Sequence, residues 1–177
     1  MYDITHYPNA LSHEQCQVII RAFEDSPHKK RGKTGFDQIR SDIKSSTDIW
    51  VKARQDDLLL NNLEPYYWKY CKQYPFLNSI SNLISIDAGY NIQRYLDGEG
   101  YFREHCEHGS SEPKRVLAWM YYLNNAQCGT TWTHHDYTVQ ATEGSLYIWP
   151  AFWTHPHKGV TPNIGRKYIA TGWCSYY

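Results

Sequence analysis

From about residue 83 onward the chain is cut into short runs of β-branched and aromatic residues by glycine-, asparagine- and proline-bearing turns, and this limits its possible folds more than any other feature. The runs cover residues 83–95, 115–123, 130–137, 145–149 and 167–173. Between them stand Asp97-Gly98-Glu99-Gly100, Asn124-Asn125, Glu143-Gly144 and Pro162-Asn163-Ile164-Gly165. Runs of this length with turn signals at this spacing predict strands of a sandwich or barrel rather than a helix bundle. The 16 Tyr, 7 Trp and 5 Phe residues fit the same texture, since aromatic side chains suit a pleated, half-buried surface.

The earlier part reads differently. Ser12-His13-Glu14-Gln15 has the form of a capping box, Val18, Ile19, Ala22 and Phe23 follow at helical spacing, and Pro27 closes the segment. A second helix is expected over residues 56–74, with Leu59, Leu63, Tyr66, Tyr67 and Tyr70 on its apolar side and Pro65 able to kink or split it. Residues 28–46 are polar and begin Lys29-Lys30-Arg31-Gly32-Lys33, which reads as a solvated, mobile loop or as one that touches substrate. The expectation is a mainly β protein with a helical annex. It forms a single domain over 1–177, with 1–80 largely helical support and 81–177 the core that carries the chemistry.

Charge and composition exclude several classes. Lys plus Arg equals Asp plus Glu at 18 each, and this balance argues against nucleic acid as a partner, because phosphate binding draws on basic excess. No apolar run approaches the roughly 20 residues of a membrane span, so no membrane partner is expected, and no leader pattern opens the chain. The five cysteines are odd in number and show no Cys-x-x-Cys pair, which speaks against a disulfide framework or a cysteine-built zinc site. Reduced thiols and a cytoplasmic location are the expectation.

Six of the nine histidines follow residue 100: His105, His108, His134, His135, His155 and His157. Two groupings could hold a metal, His105-Cys106-Glu107 with a distant third ligand and His134-His135-Asp136. In an extended strand residues i and i+2 share a face, so His105 and Glu107 can offer an imidazole and a carboxylate to one ion while Cys106 points away. A second imidazole from another strand would complete the two-histidine, one-carboxylate set of non-haem Fe(II) oxygenases. His155, two residues before His157, should share its strand face and reads as a packing residue. Trp149, Phe152 and Trp153 read as core or rim, and His108 and His135 as loop residues.

The larger order of motifs is more specific than any one of them. Gln93-Arg94-Tyr95, Gly100-Tyr101, His105-x-Glu107, Tyr121-Tyr122-Leu123-Asn124, Gly129-Thr130-Thr131-Trp132, Gly144-Ser145-Leu146, His157 and Gly165-Arg166-Lys167-Tyr168 occur in that sequence, ending at Trp173. Over residues 83–173 the chain resembles the prolyl 4-hydroxylase-like branch of the Fe(II)/2-oxoglutarate-dependent dioxygenases. The resemblance implies a double-stranded β-helix, or jelly-roll, core and the metal ligands His105, Glu107 and His157. It also implies that Lys167 pairs with the far carboxylate of 2-oxoglutarate and that Tyr122 and Tyr95 line the cosubstrate pocket. The implied cofactors are Fe(II), 2-oxoglutarate and O2, and the implied reaction is hydroxylation of a substrate carbon with release of succinate and CO2. The implied substrate is a prolyl residue in a peptide or protein, over which residues 28–46 could close.

Other readings on the same fold are a hydroxylase of a small molecule or nucleic acid, a binding module without turnover, and a zinc hydrolase.

Two departures stand out. The family usually carries His-x-Asp, and here Glu107 is one methylene longer. Cys128-Gly129-Thr130-Thr131 replaces the common Gly-Gly-Glu-Thr, with no role assigned to the change. The literal His-x-Asp string, His134-x-Asp136, is set aside because it follows the Gly129–Trp132 motif and lies only 23 residues before His157, against 52 for His105. Tyr95 and Gly100-Tyr101 lead into His105, and nothing comparable leads into His134. Independently of the family, Lys167, Ile169, Thr171 and Trp173 alternate onto one strand face, which directs Lys167 into the barrel.

Overall fold

The computed structural model describes residues 3–34, 38–162 and 164–177. In chain order the elements are β1 (Thr5–Tyr7), α1 (His13–Asp25), β2 (Lys30–Arg31), β3 (Lys44–Ser45), β4 (Thr47–Lys52), α2 (Leu58–Gln73) and α3 (Pro75–Ile80). They continue as β5 (Ile84–Tyr95), β6 (Gly100–Tyr101), β7 (Arg115–Tyr122), β8 (Ala126–Trp132), β9 (Tyr137–Ala141), β10 (Leu146–Pro150), β11 (His157–Gly159) and β12 (Lys167–Tyr176). A seven-stranded antiparallel sheet runs β1-β10-β7-β12-β5-β4-β2, a three-stranded sheet runs β11-β8-β9, and β3 pairs with β6.

β7 shows how the layers form. Along it Leu117, Trp119 and Tyr121 belong to the cluster shared with the helices, while Ala118, Met120 and Tyr122 belong to a second cluster between the two sheets. A side-chain period of two, buried on both faces, makes this strand a central partition. On the helical side, Cys16, Ile19 and Phe23 of α1 and Leu59, Leu63, Tyr67, Tyr70 and Cys71 of α2 are the buried residues. Burying each of the larger ones contributes about 1.5–3 kcal/mol. Between the sheets, Trp132, Val139 and Ala141 of the small sheet pack with Tyr147, Trp149, Ile169 and Trp173 of the large one.

Helix starts follow the local chemistry. Ser12 caps α1 through its side chain and Gln15 returns the bond, as the capping box requires, and Asp57 caps α2 by accepting from the backbone N–H groups of Leu59 and Leu60. Pro65 lies inside α2, which continues through it, so of the two effects open to it, kink or split, the split does not occur. The apolar face of α2 seals onto the large sheet on both sides of the proline.

Three differences from the sequence reading bear on the site. Besides its helices, the first part of the chain supplies β1, β4 and β2 to the large sheet and β3 to the small pair. The run expected over 130–137 is β8, a short 3-10 turn over Thr133–His135, and β9. Among the described residues of 28–46, Lys44, Ser45 and Ser46 are buried, so this end of the segment is pinned rather than solvated. The reason is that β3 and β4 face partners distant in sequence, which a polar local composition does not reveal.

Candidate active site

His157 opens β11, and His105 pairs with it through an isolated antiparallel bridge. Glu107 is placed by the same stretch of chain, its N–H donating to the carbonyl of Ala151 at 3.0 Å beyond the end of β10. The three side chains meet: Nε2 of His105 and Nε2 of His157 lie 3.6 and 3.4 Å from Oε1 of Glu107. They form a group of potential metal ligands whose donor atoms lie within 4.8 Å of one another.

The protons on the imidazoles decide what this cluster can hold. Nδ1 of His105 stands 3.1 Å from the carbonyl of Arg103, and Nδ1 of His157 stands 3.2 Å from the carbonyl of His155. A carbonyl oxygen only accepts, so both Nδ1 atoms carry the proton and both Nε2 atoms present lone pairs. Two nitrogen lone pairs and a carboxylate oxygen therefore converge, an arrangement that is repulsive until a cation lies among them. Donors about 2 Å from one ion stand roughly 3 Å apart at right angles, close to the separations seen. Two imidazoles and one carboxylate are also the donor set that suits Fe(II) with positions left open, so the residues fit the metal.

Burial raises the Glu107 carboxyl, but whenever the imidazoles carry a proton toward it their N–H bonds and charge more than offset this and hold it well below the usual carboxylate range, so the group stays ionised beside a proton as it would beside a metal cation. Burial, reinforced by His157, lowers the His105 imidazole, which keeps it in the neutral, ligating form. Aromatic rings fix the imidazole planes. Tyr101 stacks on His105 with centroids 3.6 Å apart, and Trp149 meets His157 edge-on at 5.2 Å.

Lys167, the first residue of β12, is 3% exposed. Its ammonium donates to the carbonyls of Gly129 and Val160, both at 3.2 Å, and lies 4.7 Å from the ring centre of Tyr95. Burial lowers its pKa to about 8. Two carbonyls and an aromatic face solvate a cation without neutralising it, which leaves the ammonium suited to an incoming carboxylate. It is also near the metal cluster. A Cβ on Gly159 would lie 3.6 Å from Nζ of Lys167, and Gly159 follows His157 by two residues on the same face of β11. Two strand residues span about 6.6 Å, a separation that a short dicarboxylate can bridge.

The two tyrosines flank this space. Tyr122 donates to Oγ1 of Thr130 at 2.7 Å, and Thr130 pairs with Gly159, so Tyr122 reaches the pocket through β8. Tyr95 donates to Gln93 at 2.7 Å, Gln93 donates to Asp48 at 3.2 Å, and Asp48 pairs with Lys44 at 2.6 Å. Nζ of Lys44 in turn lies 5.8 Å from the centre of Tyr101, so one polar network joins the Lys167 side of the pocket to the His105 side.

Lys44, Asp48 and the Gly129 carbonyl were not anticipated. Lys44 sits in the 28–46 stretch that reads as solvated, Asp48 lies just beyond it in β4, and a backbone acceptor has no residue signature. Gly129 and Thr130 give a structural role to the Cys128–Thr131 segment, which the sequence left without one.

The rival grouping does not form a site. His134 is exposed in the turn before β9, and Asp136, also exposed, adopts a left-handed φ of 47°. The rings of His135 and His155 meet each other at 4.5 Å. His155 precedes β11 in a turn rather than sharing its strand face, and its contribution is the carbonyl that orients His157.

Comparison with known proteins defines the class. Residues 90–175 match the model of the 2OG-Fe(II) oxygenase superfamily. Among solved structures, a Pseudomonas putida prolyl-4-hydroxylase superposes with a TM-score of 0.76 at 16% identity, covering 99% of this chain and 94% of that one. The viral collagen prolyl hydroxylase of Paramecium bursaria Chlorella virus-1, in its 2-oxoglutarate complex, gives 0.68 at 17% identity with 99% and 97% covered. A Trichoplax adhaerens prolyl hydroxylase bound to a hypoxia-inducible factor peptide fragment gives 0.72 at 16% identity with 99% and 84% covered. No curated protein matches the sequence. The fold is a double-stranded β-helix, and residues 90–175 carry the likeness to the 2-oxoglutarate-dependent dioxygenases. Residues 90–175 belong to the 2OG-Fe(II) oxygenase superfamily, in a chain that is prolyl 4-hydroxylase-like in fold. Fe(II), 2-oxoglutarate and O2 are the cofactor set that the family implies.

Proposed function

We propose that the protein hydroxylates a carbon of a prolyl residue in a peptide or protein and couples this to oxidation of 2-oxoglutarate to succinate and CO2. One atom of O2 enters the substrate carbon and the other enters succinate. The observation that carries the reading is the convergence of the Nε2 lone pairs of His105 and His157 on Oε1 of Glu107, with a buried ammonium nearby on the same side of β11.

His105, Glu107 and His157 hold the metal, which when bound supplies the redox chemistry that O2 activation requires. Lys167 pairs with the far carboxylate of 2-oxoglutarate and thereby sets its orientation, a charge-assisted bond worth about 1.5–3 kcal/mol. Tyr95 and Tyr122 wall the pocket, each with its hydroxyl already anchored. The buried Trp132 and Trp149 keep water from the His157 side. A peptide substrate is supported by the fold neighbours, which are prolyl hydroxylases, one of them bound to a peptide. It is further supported by the pairing of β3 with β6, which brings residues 44–45 to the edge of the site beside Tyr101. Among the described residues no helix is long and apolar enough to cross a membrane. The five free cysteines support a reducing compartment such as the cytoplasm.

The test is incubation with Fe(II), 2-oxoglutarate and a panel of proline-containing peptides. Succinate should form in step with a one-oxygen mass gain on a prolyl residue. Oxygen found only on a free small molecule or on nucleic acid would overturn the peptidyl substrate, and no succinate with any substrate would overturn the enzyme reading.

A further inference from the structure

Glu107 uses its two oxygens differently. Oε1 faces both imidazoles, whereas Oε2 accepts a 2.8 Å hydrogen bond from the indole N–H of Trp173 and lies 3.7 Å from Nη1 of Arg115. The two donors also hold each other, since the Arg115 guanidinium lies 3.5 Å from the centre of the Trp173 ring. Arg115 is further tethered to Glu112 at 3.4 Å. Trp50 stacks with Trp173 at 6.4 Å and 22°, and its ring packs so close to Gly89 that a Cβ there would come within 2.3 Å. Trp173 itself falls where the pairing of β12 with β5 is interrupted between Gly172 and Cys174. A bulge of this kind re-aims a side chain.

We propose that Trp173 and Arg115 form a clamp that makes Glu107 a one-oxygen metal ligand, and that this clamp is what allows a glutamate to stand where the family usually has aspartate. The proposal rests on the reading of Glu107 as a ligand and concerns how it binds. Glutamate has one more torsion than aspartate, so its carboxylate can rotate to offer both oxygens to an ion. Two-oxygen binding would occupy a position that the 2-oxoglutarate chelate or O2 needs in a site of this class. An oxygen engaged by an indole N–H and faced by a guanidinium is turned away and its charge is met, so it does not compete. The indole is well suited to this, because it has a single donor and no acceptor. Trp173 and Arg115 are positioning residues, acting on the metal only through Glu107.

Co(II) titration of the purified full chain, followed by its visible spectrum and by 2-oxoglutarate binding, tests this without turnover. Trp173→Phe keeps a ring in place and removes the N–H. It should bind Co(II) as tightly as wild type or more so, show a spectrum altered by a change in coordination, and bind 2-oxoglutarate about tenfold more weakly. Arg115→Gln, which leaves the indole intact, should move the spectrum in the same direction. In a Glu107→Asp background the shorter side chain withdraws from the indole, so adding Trp173→Phe should change nothing further.

A wild-type spectrum and wild-type 2-oxoglutarate affinity in both Trp173→Phe and Arg115→Gln would overturn the clamp. Glu107→Ala separates this from failure of the underlying reading. Lost Co(II) binding in Glu107→Ala keeps the ligand set whatever the clamp variants show, and full Co(II) binding overturns both.

Discussion

The main chains of His105 and His157 exchange two hydrogen bonds, N–H of His105 to the carbonyl of His157 at 3.0 Å and N–H of His157 to the carbonyl of His105 at 2.8 Å. Residues 52 apart in sequence are thereby held as a hydrogen-bonded antiparallel pair, with ring centroids 4.4 Å apart. The distance between the two nitrogen donors is set by backbone geometry, which is stiffer than any side-chain contact. The site is thus organised before a metal arrives.

That organisation separates the two histidine clusters by experiment. His105→Ala combined with Glu107→Ala should abolish iron binding and succinate release together. His134→Ala combined with Asp136→Ala removes two exposed side chains and should leave most iron binding intact. Iron titration and succinate measurement on both double variants check this, and the opposite pattern would remove Glu107 from the site.

The Lys167 ammonium should give 2-oxoglutarate binding a pH limit. Burial lowers its pKa to about 8, so the cation is present below that pH and is lost as pH rises through it. The association constant should be level at lower pH and fall about tenfold per unit well above pH 8, since binding then requires uptake of a proton. Calorimetry with a redox-inert metal would show this limb in the wild type. Lys167→Arg should lack the limb, and Lys167→Ala should bind about 10–100-fold more weakly at neutral pH, with metal affinity nearly unchanged.

Gly159 keeps space beside that ammonium. A methyl group there would meet Lys167 Nζ at 3.6 Å and the Tyr101 backbone nitrogen at 3.4 Å, ordinary contacts that alanine can accept. Gly159→Val should intrude further and weaken 2-oxoglutarate by about 1–3 kcal/mol, the scale of an overpacked site. Thermal melts should change little, and equal 2-oxoglutarate affinity in the Val variant would show that the cosubstrate does not pass this glycine.

Lys44 and Asp48 form a buried pair, with 5% and 12% of their side chains exposed. Removing one charge strands the other, so Lys44→Met should cost about 3–5 kcal/mol in urea denaturation. Lys44→Met with Asp48→Leu should cost less than the two single variants added together, because no isolated charge remains. Additive losses would mean that the two side chains are not coupled.

Much of the architecture could be read from short-range pattern. The Ser12–Gln15 capping box starts α1 where expected, the spacing of Leu59, Leu63, Tyr67 and Tyr70 becomes the buried face of α2, and the runs near 84–95, 115–122 and 146–150 become β5, β7 and β10. These signals act between residues a few positions apart, where helix and strand periodicity operate. The two-residue spacing of His105 and Glu107 belongs with them, since an extended chain puts both on one side.

Tertiary structure alone decided the rest. β1, β2, β3, β6 and β11 are two or three residues long, too short to carry a period, and exist because a distant strand edge accepts them. The tautomers of His105 and His157, the Gly129 and Val160 acceptors around Lys167, and the His155 carbonyl are backbone contributions that any residue type could make. The indole of Trp173 reaches Glu107 across 66 positions of sequence, and Lys44, Asp48 and Gln93 become a network only when β4 lies beside β5. What the sequence determined by itself were the elements and the identities of the groups that can do chemistry. Which lone pairs converge, which ammonium is buried among carbonyls and which carboxylate oxygen is clamped depend on contacts between remote segments, and only the folded chain creates those contacts.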